Sequence, residues 1–368
     1  MIFLALRCPA FAPRSRLAYD GPVKNAAAVL VRSSAALALL IIGALSAHAA
    51  DCVPSLRILT SVPMQSTADH TVMVVPVTVD SSNRKFLLDT GGRITQLSKS
   101  TVQALDLPQR VSEDQRLLDL AGNVSNTKTM VRRLIVGARE QRGLLLGVSP
   151  NPELGTSLPY DGLLSTDLFV DADLDMDFGA RRLTAFSTEH CDGRVVYWPA
   201  DTVAVVPIDV KHNLITFPVT VNGHTVTAVM DTGAQFTIMN MKLANRLFGL
   251  TPDSPDMKPL TETSGDWTLT SYGHRFDELD FEGVQVKDLR IYLMPDQMTS
   301  HDRLRHRELD DPLGLRLHRE ADSNVAVPDV ILGMDVLRHL HVYFATKEKR
   351  LYITDAVSGD SALFGFKS

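Results

Sequence analysis

The chain has no surplus of positive charge: 37 Lys and Arg stand against 43 Asp and Glu over 368 residues, a formal net charge of -6. No basic stripe and no basic–aromatic interleaving occurs, which argues against a nucleic-acid-binding surface. No apolar run makes a comfortable membrane span, the stretch around Ala35–Ile42 being too short. Cysteine is scarce, with Cys8, Cys52 and Cys191 alone. Helical periodicity is confined to two short segments. Metal patterns are missing as well. His301, His306 and His318 lack zinc-site spacing and fall in a charged segment that reads as a solvated insertion. Asp171, Asp173, Asp175 and Asp177 alternate without the glycine and terminal glutamate of a calcium loop. With Leu174, Met176 and Phe178 on the opposite face, they read as the exposed side of a strand. No metal or cofactor is expected.

What the chain does have is strands. Val72–Val79, Lys85–Leu88, Met130–Val136, Leu214–Val221, Thr225–Met230, Leu289–Leu293 and Arg350–Ile353 alternate or run apolar and are rich in Val, Ile and Thr. Turn formers such as Asp80-Ser81-Ser82-Asn83 and Asn222-Gly223 bound them. With 45% hydrophobic and 22% charged residues, the chain can bury two ordinary cores. The expected class is all-β with minor helix.

The strands repeat. Phe86-Leu87-Leu88-Asp89-Thr90-Gly91 is matched by Ala228-Val229-Met230-Asp231-Thr232-Gly233, and Pro76-Val77-Thr78-Val79 precedes the first as Pro218-Val219-Thr220-Val221 precedes the second. A short helix is expected after each triplet, within Leu97–Pro108 and Ile238–Leu250. Asp161 to Leu168 then answers Asp329 to Val336. An alternating strand follows in each copy, Leu174–Phe178 and His341–Phe344, and a charged turn with a last strand is expected to close both units. The repeat is a whole domain long, which makes a two-lobe protein rather than a solenoid. Each copy presents one carboxylate, and two facing carboxylates can share a proton and activate a water.

This pattern resembles the aspartic peptidases, the clan of the pepsins and retropepsins, over nearly all of the chain after residue 70. Two apolar-apolar-Asp-Thr-Gly loops, each followed by an apolar-apolar-Gly type element, carry the resemblance. Asp-Thr-Gly-Ala at 231–234 is closer to the retropepsin form, whereas two lobes on one chain are pepsin-like. The description it implies is a bacterial, periplasmic, retropepsin-like peptidase. It implies two closed β-barrel lobes related by a pseudo-twofold axis, with a cleft between them. Asp89 and Asp231 would form the dyad, Thr90 and Thr232 would bond across the axis, and Gly91 and Gly233 would let the backbone turn beneath the carboxylates. Three departures stand out. Leu163-Leu164-Ser165 has serine where the family has glycine. Gly92 and Ala234 follow the triplets where pepsins carry a hydroxyl, so a less acidic working range is expected. No flap tyrosine is evident, and the flap positions are the turns around Gly122 and around Gly265-Asp266-Trp267. Trp267 lines the cleft or packs on its own hairpin.

The first 49 residues read as a signal peptide with an overlong start: Arg32 precedes the apolar stretch and Ala47-His48-Ala49 follows it. An upstream mis-assigned start accounts for the excess, and an uncleaved anchor is the alternative. The expected organisation is residues 1–49 as leader, 50–199 as the first lobe and 200–368 as the second. Cleavage would take the formal charge to about −10, because the leader holds five Lys/Arg and one Asp. It would leave Cys52 and Cys191, a bridge or two free thiols, in the periplasm or outside the cell.

The expected activity is peptide hydrolysis through a water held by Asp89 and Asp231, with an extended peptide as partner and no requirement for dimerisation. A monomer with no stable membrane span after cleavage is expected. The alternative is a noncatalytic peptide-binding protein that keeps the fold.

Overall fold

Two rings of six strands, one in each half of the chain, repeat each other strand for strand in the computed structural model. It describes residues 55–67, 72–112, 117–118, 124–149, 160–211, 213–264, 267–294, 328–356 and 364–366. The first ring runs Met73–Val79, Ser82–Leu88, Gly162–Leu164, Gln96–Leu97, Arg139–Val148 and Thr127–Val136, which pairs back onto Met73–Val79. The second runs Leu214–Val221, His224–Met230, Val330–Leu332, Ile238–Asn240, Val284–Met294 and Trp267–Phe281, which pairs back onto Leu214–Val221. Each ring contains the same two parallel contacts, in matching positions. The fold is all-β with two barrel lobes.

Local chemistry sets these elements. In Leu214–Val221 the side chains of Ile215, Phe217, Val219 and Val221 are buried in alternation, as a strand with one face on a core requires. The hairpin to His224–Met230 turns at Asn222 and Gly223, with φ of 43° and 81°. That is the conformation for which Asn-Gly is the preferred pair. Both expected helices form, as Lys99–Ala104 and Met241–Phe248. Ser98 caps the first by accepting from the Thr101 N–H, and Asn240 caps the second by accepting from Lys242 and Leu243. Gly249 ends the second in the left-handed region.

The alternating and last strands recur in both halves, as the repeat implies. They leave the rings and join a third, six-stranded sheet in the order Ile58–Pro63, Arg182–Ser187, Ala172–Asp177, Leu340–Ala345, Arg350–Asp355, Ala204–Pro207. Three strands come from each half of the chain. Ala172–Asp177 and Leu340–Ala345 pair antiparallel where the halves meet.

This sheet also corrects the reading of the alternating aspartates. Asp173 and Asp175 are buried, not solvated. The alternation is real, but the segment after Arg182–Ser187 folds over the face they occupy. Asp173 accepts from Tyr343, from the Thr346 N–H and from His190 Nε2 at 2.5 Å. Asp175 meets His341 Nε2 at 2.5 Å and the Tyr197 hydroxyl. Trp198 stacks on the His341 ring at 3.7 Å and donates to Thr354. Buried carboxylates require such partners. Asp171 is exposed and pairs with Arg139, and Asp177 is partly covered.

No described helix is long and apolar enough to cross a membrane. Residues 1–49, Cys52 and the histidines at 301, 306 and 318 lie outside the described residues. Cys191 is buried and disulfide-bonded.

Candidate active site

Each Asp-Thr-Gly triplet leaves the end of a ring strand, Ser82–Leu88 or His224–Met230, and turns at once. The strand beside it holds the turn: the Asp89 N–H donates to the Leu164 carbonyl at 2.9 Å, and the Asp231 N–H donates to the Leu332 carbonyl at 3.0 Å. The next residues are pinned in the same way in both halves. Asp167 accepts from the Thr95 amide and hydroxyl at 3.0 and 2.6 Å, and Asp335 accepts from those of Thr237 at 2.9 and 2.8 Å. The Thr95 hydroxyl in turn accepts from the Ser165 N–H, and that of Thr237 accepts from the Gly333 N–H. Two rigid loops result.

The loops meet through their threonines. The Thr90 hydroxyl donates to the Met230 carbonyl at 2.7 Å and accepts from the Thr232 N–H at 3.1 Å. Thr232 does the reciprocal, donating to Leu88 at 2.7 Å and accepting from Thr90 at 3.1 Å. Both threonines are fully buried, so all four bonds are shielded from water and none can be exchanged for solvation.

This grip brings Asp89 and Asp231 side by side. A Cβ on Gly91 would lie 2.2 Å from the Asp231 carboxyl carbon, and one on Gly233 would lie 2.8 Å from Asp89 Oδ1. Glycine is therefore required at both positions, because each backbone passes against the opposite carboxylate. The carboxylates keep some contact with solvent, yet protein encloses them on nearly every side. Burial holds the Asp89 carboxyl well above the usual range, and the charge of Asp231 raises it further. Burial also raises Asp231, but less, because the Gly233 and Ala234 amides donate to its Oδ1 at 2.8 and 3.2 Å. Donors to the charged form favour ionisation. Both carboxyls are thus raised by their shared enclosure, and only Asp231 has two amide donors on one oxygen.

Two enclosed carboxylates therefore lie side by side, on loops gripped through paired threonines. The family model described as "Aspartyl protease" matches residues 75–168 and 217–336, more than half of the chain. The chain belongs to the aspartyl protease family. A search of curated proteins returns no match. Among solved structures, the aspartic proteinase from Irpex lacteus is 15% identical and covers 82% of this chain and 99% of that one, at a TM-score of 0.45. That likeness is too distant to carry an argument.

Within this aspartyl protease the other expected site residues fare unevenly. Gly122 and Gly265 lie outside the described residues. The backbone on either side of each is a hairpin: Leu117–Leu118 pairs Val124–Ser125, and Lys258–Ser264 pairs the strand that opens at Trp267. The Leu117 side chain reaches the space beside Gly147 and Ile94, close to the first loop. Two residues that motif reading did not include belong to the site. Tyr160 sits near enough to Asp89 that the carboxylate, after burial, raises its phenol. Asn213 donates to the Arg93 carbonyl at 2.8 Å, and its own carbonyl accepts from Thr166, tying the second half to the first loop. Tyr160 precedes the matched Asp161 to Leu168 segment, and that adjacency was its only signal. Asn213 lies in the left-handed region between strands, at φ 65°, and had none. Among the described residues no cluster could hold a metal ion.

Proposed function

We propose that this aspartyl protease is an endopeptidase in which Asp89 and Asp231 together activate a water against a peptide carbonyl. The observation that carries the reading is the enclosed pair of neighbouring carboxylates on matched loops. Asp231, ionised and held by two amides, takes a proton from a water lying between the carboxylates. Asp89, protonated, donates to the carbonyl oxygen as the water attacks. The tetrahedral diol then collapses, the nitrogen leaves with a proton, and the carboxylates return to one shared proton. The atoms balance without a covalent intermediate. Both carboxylates stand on one chain, so a monomer suffices. The partner in this reading is an extended peptide, added as a strand through main-chain bonds.

The test is cleavage of a peptide library by the protein without its first 49 residues, beside Asp89→Asn and Asp231→Asn. Each variant is expected to lose about 10³-fold or more in kcat/KM while keeping its fold. Near-native turnover in either folded variant would overturn the shared dyad. An inert wild-type protein that still binds peptides would favour a noncatalytic binding role.

A further inference from the structure

Beneath the first catalytic loop, the strand Gly162–Leu164 ends at Ser165, whose side chain is buried. The Ser165 hydroxyl donates to the Ile94 carbonyl at 3.2 Å. A Cβ built on Gly92 would lie 2.4 Å from that hydroxyl oxygen and 2.7 Å from Asp89 Oδ2. The hydroxyl and the catalytic carboxylate therefore border one small space, and Gly92 leaves it free. The second half does the opposite. Ala234 carries a buried Cβ on the loop, and Gly333 leaves the floor bare. A Cβ on Gly333 would lie 2.4 Å from the Phe236 carbonyl oxygen. That carbonyl is the counterpart of the one Ser165 bonds.

We propose that Ser165 and Gly92 are a matched pair and that Ser165 is a positioning residue for Asp89. In the second half the side chain stands on the loop, at Ala234, and the floor is glycine, at Gly333. In the first half the side chain has moved from loop to floor. Its hydroxyl anchors the Ile94 carbonyl, and so holds the Gly91–Ile94 backbone that sets the position of Asp89. Without the anchor, a partly buried carbonyl loses this partner two residues beyond Gly92 and the loop can drift. With a side chain at 92 as well, two groups contend for one space.

This rests on the peptidase reading for its kinetic arm only, so the two can fail separately. The experiment compares Ser165→Ala, Ser165→Gly, Gly92→Ser and the double variant Gly92→Ser/Ser165→Gly, by thermal melting and by steady-state kinetics on a cleaved peptide. Ser165→Ala keeps the Cβ and removes the anchor, and should lower kcat about tenfold with KM little changed, since orientation is lost and binding is not. Gly92→Ser alone should lower both the melting temperature and kcat/KM, the latter on the order of 10²-fold. The double variant, which rebuilds the loop-side arrangement, should recover most of both losses. Recovery of melting temperature in a protein that cleaves nothing would uphold the pair and sink the peptidase reading. A double variant no better than Gly92→Ser, or a Ser165→Ala enzyme with native kcat, would overturn the proposal.

Discussion

The two Asp-Thr-Gly loops have the same frame and different fillings. Thr90 and Thr232, Thr95 and Thr237, and Asp167 and Asp335 make equivalent bonds at nearly equal lengths. Inside the frame, Ser165 borders the space beside Gly92 in one half, while the other half has Ala234 on the loop and Gly333 on the floor, against the Phe236 backbone. Burial raises both carboxyls; Asp231 collects two amide donors within 3.2 Å on one oxygen, while the charge of its neighbour raises Asp89 further. What is constrained on both sides is the hydrogen-bond scaffold. What differs is the small volume beneath each carboxylate.

The hardest blow to the comparison is Gly333→Ser, which imposes the first half's floor on the second. Its Cβ would meet the Phe236 backbone at 2.4–2.5 Å, and backbone cannot yield as a flexible side chain can. Activity should fall on the order of 10²-fold or more, and stability should drop by about 3 kcal/mol from overpacking. Chemical denaturation and kinetics measure both. A well-folded, active Gly333→Ser would mean that the two floors are interchangeable.

A milder challenge is Thr90→Val against Thr232→Val. Each removes one donor and one acceptor from the buried grip, at about 3 kcal/mol. The matched geometry predicts losses equal within about 1 kcal/mol by urea unfolding. Unequal losses would show that the grip, too, is asymmetric.

The smallest effect is on pH dependence. A raised carboxyl binds its proton in the folded state after the unfolded chain has released it at about the ordinary Asp value of 3.8. Stability is therefore fully present below that value and declines as pH rises through the folded-state value. Replacing either carboxylate by Asn should flatten this decline, because burial raises both. Melting temperatures between pH 4 and 7 would show it, and an undiminished decline in both variants would break the link between the raised pair and stability.

Much of this was legible in sequence because it depends on local pattern. The ring strands, the Asn222-Gly223 turn, both helices and the paired triplets all follow from period, capping and turn chemistry within a few residues. The third sheet was not legible. Strand alternation in Ala172–Asp177 says that two faces differ, not that both are covered. The cover comes from His190, Tyr197, Trp198 and a strand more than 160 residues away. Ser165 was visible as an anomaly, but its complement Gly92 required knowing that the two approach within a side chain's width.

The shared sheet also decides which halves can associate. Ala172–Asp177 and Leu340–Ala345 occupy equivalent places in the duplication, and Asp175 corresponds to Tyr343, the residue directly opposite it in the ladder. Were two first halves to meet as identical copies, that central rung would set Asp175 against Asp175 in a buried seam, with His341 absent from its side. Confronted acids of that kind repel and remain unsolvated. Two second halves would bring tyrosine against tyrosine, with no acid for the histidine. A rung of acid against phenol is thus a lock against symmetry, by which each half prefers its sister to its twin.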